Sequence, residues 1–356
     1  MSDSHKFTIL GETGSGKTCY LLGMYYEMSM GVAGFTVKAK NDDDDKNLAI
    51  RYEILKDKSR GAGRFPAGTD DVQKMEFELR FANETIDSFE WVDYPGVFLD
   101  STKRDANSEL YKEVEESINN SYMLFICVDG ANLVGDDTDE KIDKVRRKCG
   151  RNITPYLGDI KKHNENFPPV GIIITKYDLC KDDTDEDEIR EIMEEAFDSL
   201  FSDEDALVFV IPVSLGDNLK DDDHRGDLKP INIELPILLG MNFAVVGILN
   251  YGKSLIEEKK QYVEWAREKK REEDNRWGIT RWFFGGWDPD QLGQNISETE
   301  DEIQEIRQIA KFYKKKLNRI NKRLAYLEMI FCEESWLDER RIENFWEEFQ
   351  SIVDYF

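Results

Sequence analysis

The chain has 356 residues, 40% of them hydrophobic and 34% charged, and a formal net charge of −26. That length suffices for one full α/β core with room for a second unit, whereas so negative a field opposes contact with phosphate backbones, and nucleic acid drops out as an expected partner. Five scattered cysteines without a C-x-x-C pair, and only three histidines, offer no zinc constellation and suit a reducing, cytoplasmic setting.

The acidity is uneven. Residues 1–250 hold 29 Lys or Arg against 51 Asp or Glu, and residues 251–356 hold 19 against 23, which separates an acidic first domain from a nearly balanced second one. The runs Asp42–Asp45, Asp136–Glu140, Asp182–Glu188 and Asp221–Asp223 read as solvated loops and helix starts. Polar residues lead from Met1 straight into the apolar Phe7–Leu10, which leaves no room for a signal peptide.

That first apolar strand runs into GETGSGKT, Gly11, Glu12, Thr13, Gly14, Ser15, Gly16, Lys17 and Thr18, and a helix-compatible stretch starts at Cys19. The pattern is G-x-x-x-x-G-K-[ST] in strand–loop–helix context. Its glycines let backbone N–H groups wrap a phosphate, the helix N-terminus adds positive potential, Lys17 reaches the β- and γ-phosphates, and Thr18 offers a hydroxyl to Mg²⁺. A second match, Gly247–Ser254, carries Ile248, Leu249 and Tyr251 where an anion loop needs small residues, and reads as helix.

Phe77–Phe81 and Phe89–Val92 have the alternation of an antiparallel pair, with Asn83–Ser88 as the expected connection. The second strand ends in DYPG, where Asp93 would hold Mg²⁺ and the Gly96 amide would meet the γ-phosphate. Asp223–Gly226 also spells D-x-x-G, but in a polar loop with no strand before it, and is set aside. Met123–Val128 and Val170–Ile174 are continuous apolar runs, as interior parallel strands require. The latter ends in TKYD. Asp178 can accept two hydrogen bonds from N1 and N2 of guanine, Lys176 lays its stem along the base, and Thr175 opens the motif. A last strand, Leu207–Val213, leads to Ser214, whose loop would lie over the base. Phosphate loop, D-x-x-G and T-K-x-D, each at the C-terminal end of an apolar strand, fall where open α/β sheets bind ligands. GTP, GDP and Mg²⁺ are the implied ligands.

With these motifs, residues 6–250 resemble the Ras-like, TRAFAC-type branch of P-loop GTPases, and more loosely bacterial double-GTPase-like proteins. The resemblance implies a mostly parallel Ras-like sheet with helices on both faces and one antiparallel strand. It also implies a threonine that closes over Mg²⁺ and the γ-phosphate. RFPAGTD offers Thr69, with Thr36 as a rival, and residues 39–66 then form an enlarged first switch. Signalling members carry a water-orienting Gln where this chain has Val97, so slow hydrolysis is expected. Arg60 and Arg64 lie just upstream of Thr69, where a guanidinium could reach the γ-phosphate or else be solvated. Gly14 replaces the Asn of potassium-activated relatives, so potassium stimulation is not expected.

Leu235–Leu249, broken by Pro236 and Asn242, is short of the ~20 residues that span a bilayer and reads as a buried helix. Beyond it, Ile296, Thr299, Ile303, Ile306, Ala310, Tyr313, Leu317, Ile320, Leu324, Leu327 and Phe331 step by three and four, predicting one long helix. Ile248, Leu255, Tyr262 and Trp265 predict its antiparallel partner, and Trp336–Phe356 a third amphipathic helix. Between the long helices, Trp277, Trp282, Phe283, Phe284 and Trp287 crowd into a tip that caps the helix ends, grips a partner, or, least favoured in acidic surroundings, meets a membrane. Three functions compete: a slow regulatory GTPase whose switches act on the helical domain or a protein partner, a GTP-sensing scaffold, and a dynamin-like mechanoenzyme that self-associates through the helical seam.

Overall fold

The computed structural model describes residues 5–68, 71–96, 108–151, 153–154, 157–158, 168–201, 207–216, 219, 224–274, 288–324, 330–331 and 354–355. The chain divides into two compact units, Met1–Met241 with Arg323–Glu339, and Asn242–Lys322 with Arg340–Phe356.

The first unit is a mixed α/β sheet. In chain order it contains β1 (His5–Gly11), α1 (Lys17–Met30), β2 (Phe35–Ala39), α2 (Asp42–Lys56), β3 (Gln73–Phe81), β4 (Glu84–Asp93), α3 (Ser108–Asn119) and β5 (Ser121–Asp129). It continues with α4 (Thr138–Val145), β6 (Val170–Thr175), α5 (Glu186–Ala196), α6 (Asp198–Phe201), β7 (Val208–Pro212) and the two-residue β8 (Ile330–Phe331). The strand order is β2-β3-β4-β1-β5-β6-β7-β8. The β4-β1-β5-β6-β7 block is parallel, β3 pairs antiparallel with β2 and β4, and β8 pairs antiparallel with β7.

Burial follows the pleat. Phe7, Phe77, Phe89, Trp91 and Phe125 stack on one face, with ring centroids 5.3 Å apart for Phe7–Phe89 and Phe77–Phe89 and 5.7 Å for Trp91–Phe125. The alternate residues Leu10, Val92, Leu124, Ile126, Ile172 and Ile174 share a core on the other face with Ile189, Ile192 and Phe197. β6 and β7 are buried at every position, which is why their sequences read as unbroken apolar runs.

Three local expectations change. The β3–β4 connection is the pair Ala82–Asn83, both at positive φ, rather than Asn83–Ser88, because a two-residue turn with left-handed backbone matches strand twist and lets pairing begin at Phe81↔Glu84. Residues 39–66, expected as an enlarged first switch, are mostly ordered as α2 and a 3-10 segment, Lys58–Arg64. The Asp42–Asp45 run drives this, since Asn41 accepts from Asp43 N at 2.9 Å and four carboxylates sit in the first turn, where the helix dipole favours them. Thr36 lies inside β2, paired with Arg80, and is held by the ladder.

The helical region contains α7 (Leu235–Asp274) and α8 (Pro289–Leu324). They run antiparallel, joined by the partly buried pair Asn242–Asn321, by Lys259–Glu302 and by Arg267–Glu300. On α8 the predicted seam is buried at Ile303, Ala310, Leu317, Ile320 and Leu324. The helix ends there, and Phe331 belongs to β8 instead. On α7 the buried stripe is Leu249, Ile256, Val263 and Ala266, one residue on from the predicted Ile248, Leu255, Tyr262 and Trp265. Aliphatic and small side chains fill a helix–helix seam, while Tyr262 and Trp265 keep their polar edges half in water. Gly247–Ser254 is an internal stretch of α7. One window of α7 has mean hydropathy 1.6, apolar enough to cross a membrane, but 67% of it is buried inside the protein. The Trp277–Trp287 tip and most of Trp336–Phe356 lie outside the described residues.

Candidate functional site

The parallel register gathers the strand ends. Ile9 lies beside Asp93, Gly11 beside Cys127, Asp129 beside Thr175, and Ile174 beside Pro212. β1 has β4 on one side and β5 on the other, so the loop after it sits where strand order reverses. Gly14 and Gly16 hold φ of +84° and +92°, a left-handed backbone that lets the loop turn on itself before α1 begins at Lys17.

Lys17 is nearly buried, and its Nζ donates to Gly11 O at 2.7 Å and Glu12 O at 3.1 Å. The end of β6 braces the same loop. Thr175 Oγ1 donates to Ser15 O at 2.5 Å and Val128 O at 3.1 Å, and Lys176 Nζ donates to Gly14 O at 2.9 Å and pairs with Asp129. Ser214 Oγ donates to Asp178 Oδ1 at 2.7 Å, fixing one carboxylate oxygen. Glu12, Thr13, Gly14, Gly16, Lys17, Thr18, Cys19, Gly96, Thr175, Lys176, Asp178 and Ser214 all line one cavity of about 310 Å³. Burial pushes the Cys19 thiol up to about 11, so it faces the cavity protonated.

Asp93 and Ser15 are buried and do not line the cavity. Asp93 is fully buried, and neither carboxylate oxygen has a hydrogen-bond partner among the described residues. Burial raises its pKa to about 6, with Lys17 and then Arg51 pulling it back down. The Ser15 hydroxyl is likewise buried without a partner. A buried carboxylate with two orphan oxygens is expensive unless a cation compensates it. Hard oxygen donors from Asp93 and from Thr18 at the head of α1 fit Mg²⁺ in kind.

Gly96 abuts the backbone of the glycine-rich loop after β1, and a Cβ there would come within 2.0 Å of Thr13 N and 2.4 Å of Glu12 C. Backbone cannot yield as a side-chain tip can, so Gly96→Ala lowers stability by about 1–3 kcal/mol. Its urea midpoint should fall below that of the natural protein, and an unchanged midpoint would show that the contact is soft.

Of the remaining sequence candidates, Thr69 and Val97 lie outside the described residues. Arg60 pairs with Asp57 at the surface, Nε to Oδ2 at 3.1 Å. Arg64 is neither solvated nor turned to the cavity: it is 1% exposed and donates to three backbone carbonyls. Phe65, Pro66, Ala67, Gly68, Leu219 and His224 were not anticipated as cavity walls. The segment set aside as a chance D-x-x-G therefore reaches the site through His224. Asp129 was missed as well, although an Asp closing the apolar run Met123–Val128 repeats the signal that singled out Asp93.

No family model and no curated protein matches this sequence. Among solved structures, the GTPase-like domain of S. cerevisiae Ski7, bound to GTP, is similar at 13% identity with a TM-score of 0.33. The match covers 59% of this chain and 42% of that chain, so the chain spans less than half of that structure's length. At this level the similarity assigns neither ligand nor activity.

Proposed function

We propose that this chain binds GTP and GDP with Mg²⁺, hydrolyses GTP slowly, and acts as a nucleotide-dependent switch read by its helical region or by a protein partner. The observation that carries this reading is a single cavity walled by Lys17 and Thr18 at one end and by Lys176, Asp178 and Ser214 at the other. Cationic and backbone donors suit phosphates, and a carboxylate with one oxygen held by Ser214 suits the paired N–H donors of guanine.

In this reading the amides of residues 11–18 bind the phosphates, and Lys17 neutralises charge that builds on the γ-phosphate oxygens. Thr18, Asp93 and Thr69 would hold Mg²⁺, which supplies further neutralisation when bound. The Gly96 amide donates to the γ-phosphate. Val97 has no hydrogen-bonding group, so the attacking water falls to a backbone carbonyl such as that of Thr69, and hydrolysis is slow.

The test is hydrolysis of GTP, with ATP as control, by the full chain over a wide range of protein concentration. A low rate per molecule that stays flat supports a switch awaiting an activator. A rate that climbs with concentration favours the self-associating alternative, and absence of GTP binding sinks the reading.

A further inference from the structure

Arg64 is the second largest fully buried side chain among the described residues. It follows a segment that the sequence would leave in water; bonds from Nε and Nη1 hold it inside, while Nη2 is buried without a hydrogen-bond partner among the described residues. Nε donates to Leu55 O at 2.6 Å, which satisfies a carbonyl in the last turn of α2, where no intrahelical donor remains. Nη1 donates to His224 O at 3.0 Å and Gly226 O at 2.9 Å, some 160 residues further along the chain. The guanidinium also lies 5.5 Å from the centroid of the Phe65 ring, and Phe65 meets His224 edge to face at 5.9 Å. Lys58 pairs with Asp227, tying the same two segments a second time.

Both segments are walls of the cavity. Phe65, Pro66, Ala67 and Gly68 from the first and His224 from the second line it, with Leu219. They come from distant parts of the chain, and no secondary-structure ladder joins them. Besides the exposed Lys58–Asp227 pair, the planar fork of Arg64 does, with Nε on the Leu55 carbonyl and Nη1 on those of His224 and Gly226, a geometry that the point charge of a lysine cannot reproduce.

We propose that Arg64 is a positioning residue, a clasp that holds residues 65–68 against 224–226 so that Phe65 and His224 form one wall and bound nucleotide leaves only when the clasp opens. This rests on the nucleotide reading above.

The experiment is release of a fluorescent GDP from the full chain into excess unlabelled GDP, for the natural protein, Arg64→Lys, His224→Ala and the double variant, with thermal melting alongside. Each single change is expected to speed release about tenfold: Arg64→Lys loses the forked bonds to the His224 and Gly226 carbonyls, roughly the scale of one hydrogen bond to a charged group, and His224→Ala keeps its carbonyl but loses the ring that meets Phe65. The double variant should release no faster than the faster single, because Arg64 acts through the wall that His224 forms. A buried arginine that served stability alone would lower the melting temperature and give independent, multiplying effects, and that result overturns the clasp. His224 is half-buried and guards against a failure of Arg64→Lys to fold: unchanged release from His224→Ala is enough to overturn the proposal. If the natural protein binds no fluorescent GDP, the nucleotide reading itself fails. If it binds and every variant releases at the natural rate, only the clasp fails.

Discussion

In Asp178→Asn, affinity for GTP falls about a hundredfold and xanthosine triphosphate becomes the better ligand. The Asp178 carboxylate is nearly buried and has one oxygen already taking a hydrogen bond from Ser214. Guanine offers it two N–H donors, and two charge-assisted bonds in a shielded cavity are worth roughly 3 kcal/mol or more together, which is about a hundredfold in binding. An asparagine keeps an acceptor for N1–H but turns an NH₂ toward the guanine N2 donor, leaving two donors opposed. Xanthine carries a carbonyl there, so the same amide makes a matched pair. Ser214 can still donate to the amide oxygen, so the fold need not change. Competition binding with GTP, XTP and ATP measures the switch, and equal loss for all three would mean that Asp178 supports the cavity without touching a base.

Asp93→Asn is expected to separate stability from activity. In chelator, the variant should be more stable than the natural protein at neutral pH by up to about 3 kcal/mol, because it removes a buried carboxylate whose charged form has no partner among the described residues. The sign follows from linkage. A folded-state pKa of about 6, above the ordinary 3.8, means that the folded protein holds a proton the unfolded chain has released. Stability from this group is therefore greatest at acid pH and is lost as pH rises through about 6. The gap between variant and natural protein should open over that window and stay level above it. A gap that is flat across the window would sink the assignment. With MgGTP the order reverses, since the amide is a poor partner for a hard cation, and hydrolysis should drop by about a hundred- to thousandfold.

How far the sequence reached can be judged from particular residues. Lys17, Thr18, Thr175, Lys176, Asp178 and Ser214 were all picked out as site candidates, and all face one cavity. They were legible because each stands at the end of an unbroken apolar run or in a glycine loop between a strand and a helix, both local patterns. Arg64 was legible as a candidate but not in its role. Nothing near it in the chain announces the carbonyls of His224 and Gly226, and a guanidinium bonded only to backbone leaves no trace in the identity of its partners. His224 and Phe65 were hidden for the same reason, each being ordinary in its own loop and significant only beside the other. The α7 seam moved by one residue because periodicity fixes an apolar face to about a hundred degrees of arc, and packing against α8 selects within it.

What the sequence determined by itself is therefore the main strands, the long helices and which residues stand at the strand ends, since backbone propensity, apolar periodicity and glycine-rich turns act over a few residues. What only the tertiary structure decided is which distant loops meet. That Arg64 is a clasp, that His224 is a wall and that Asp93 is buried with both oxygens unpaired among the described residues all depend on close packing between segments far apart in the chain, where no local rule operates.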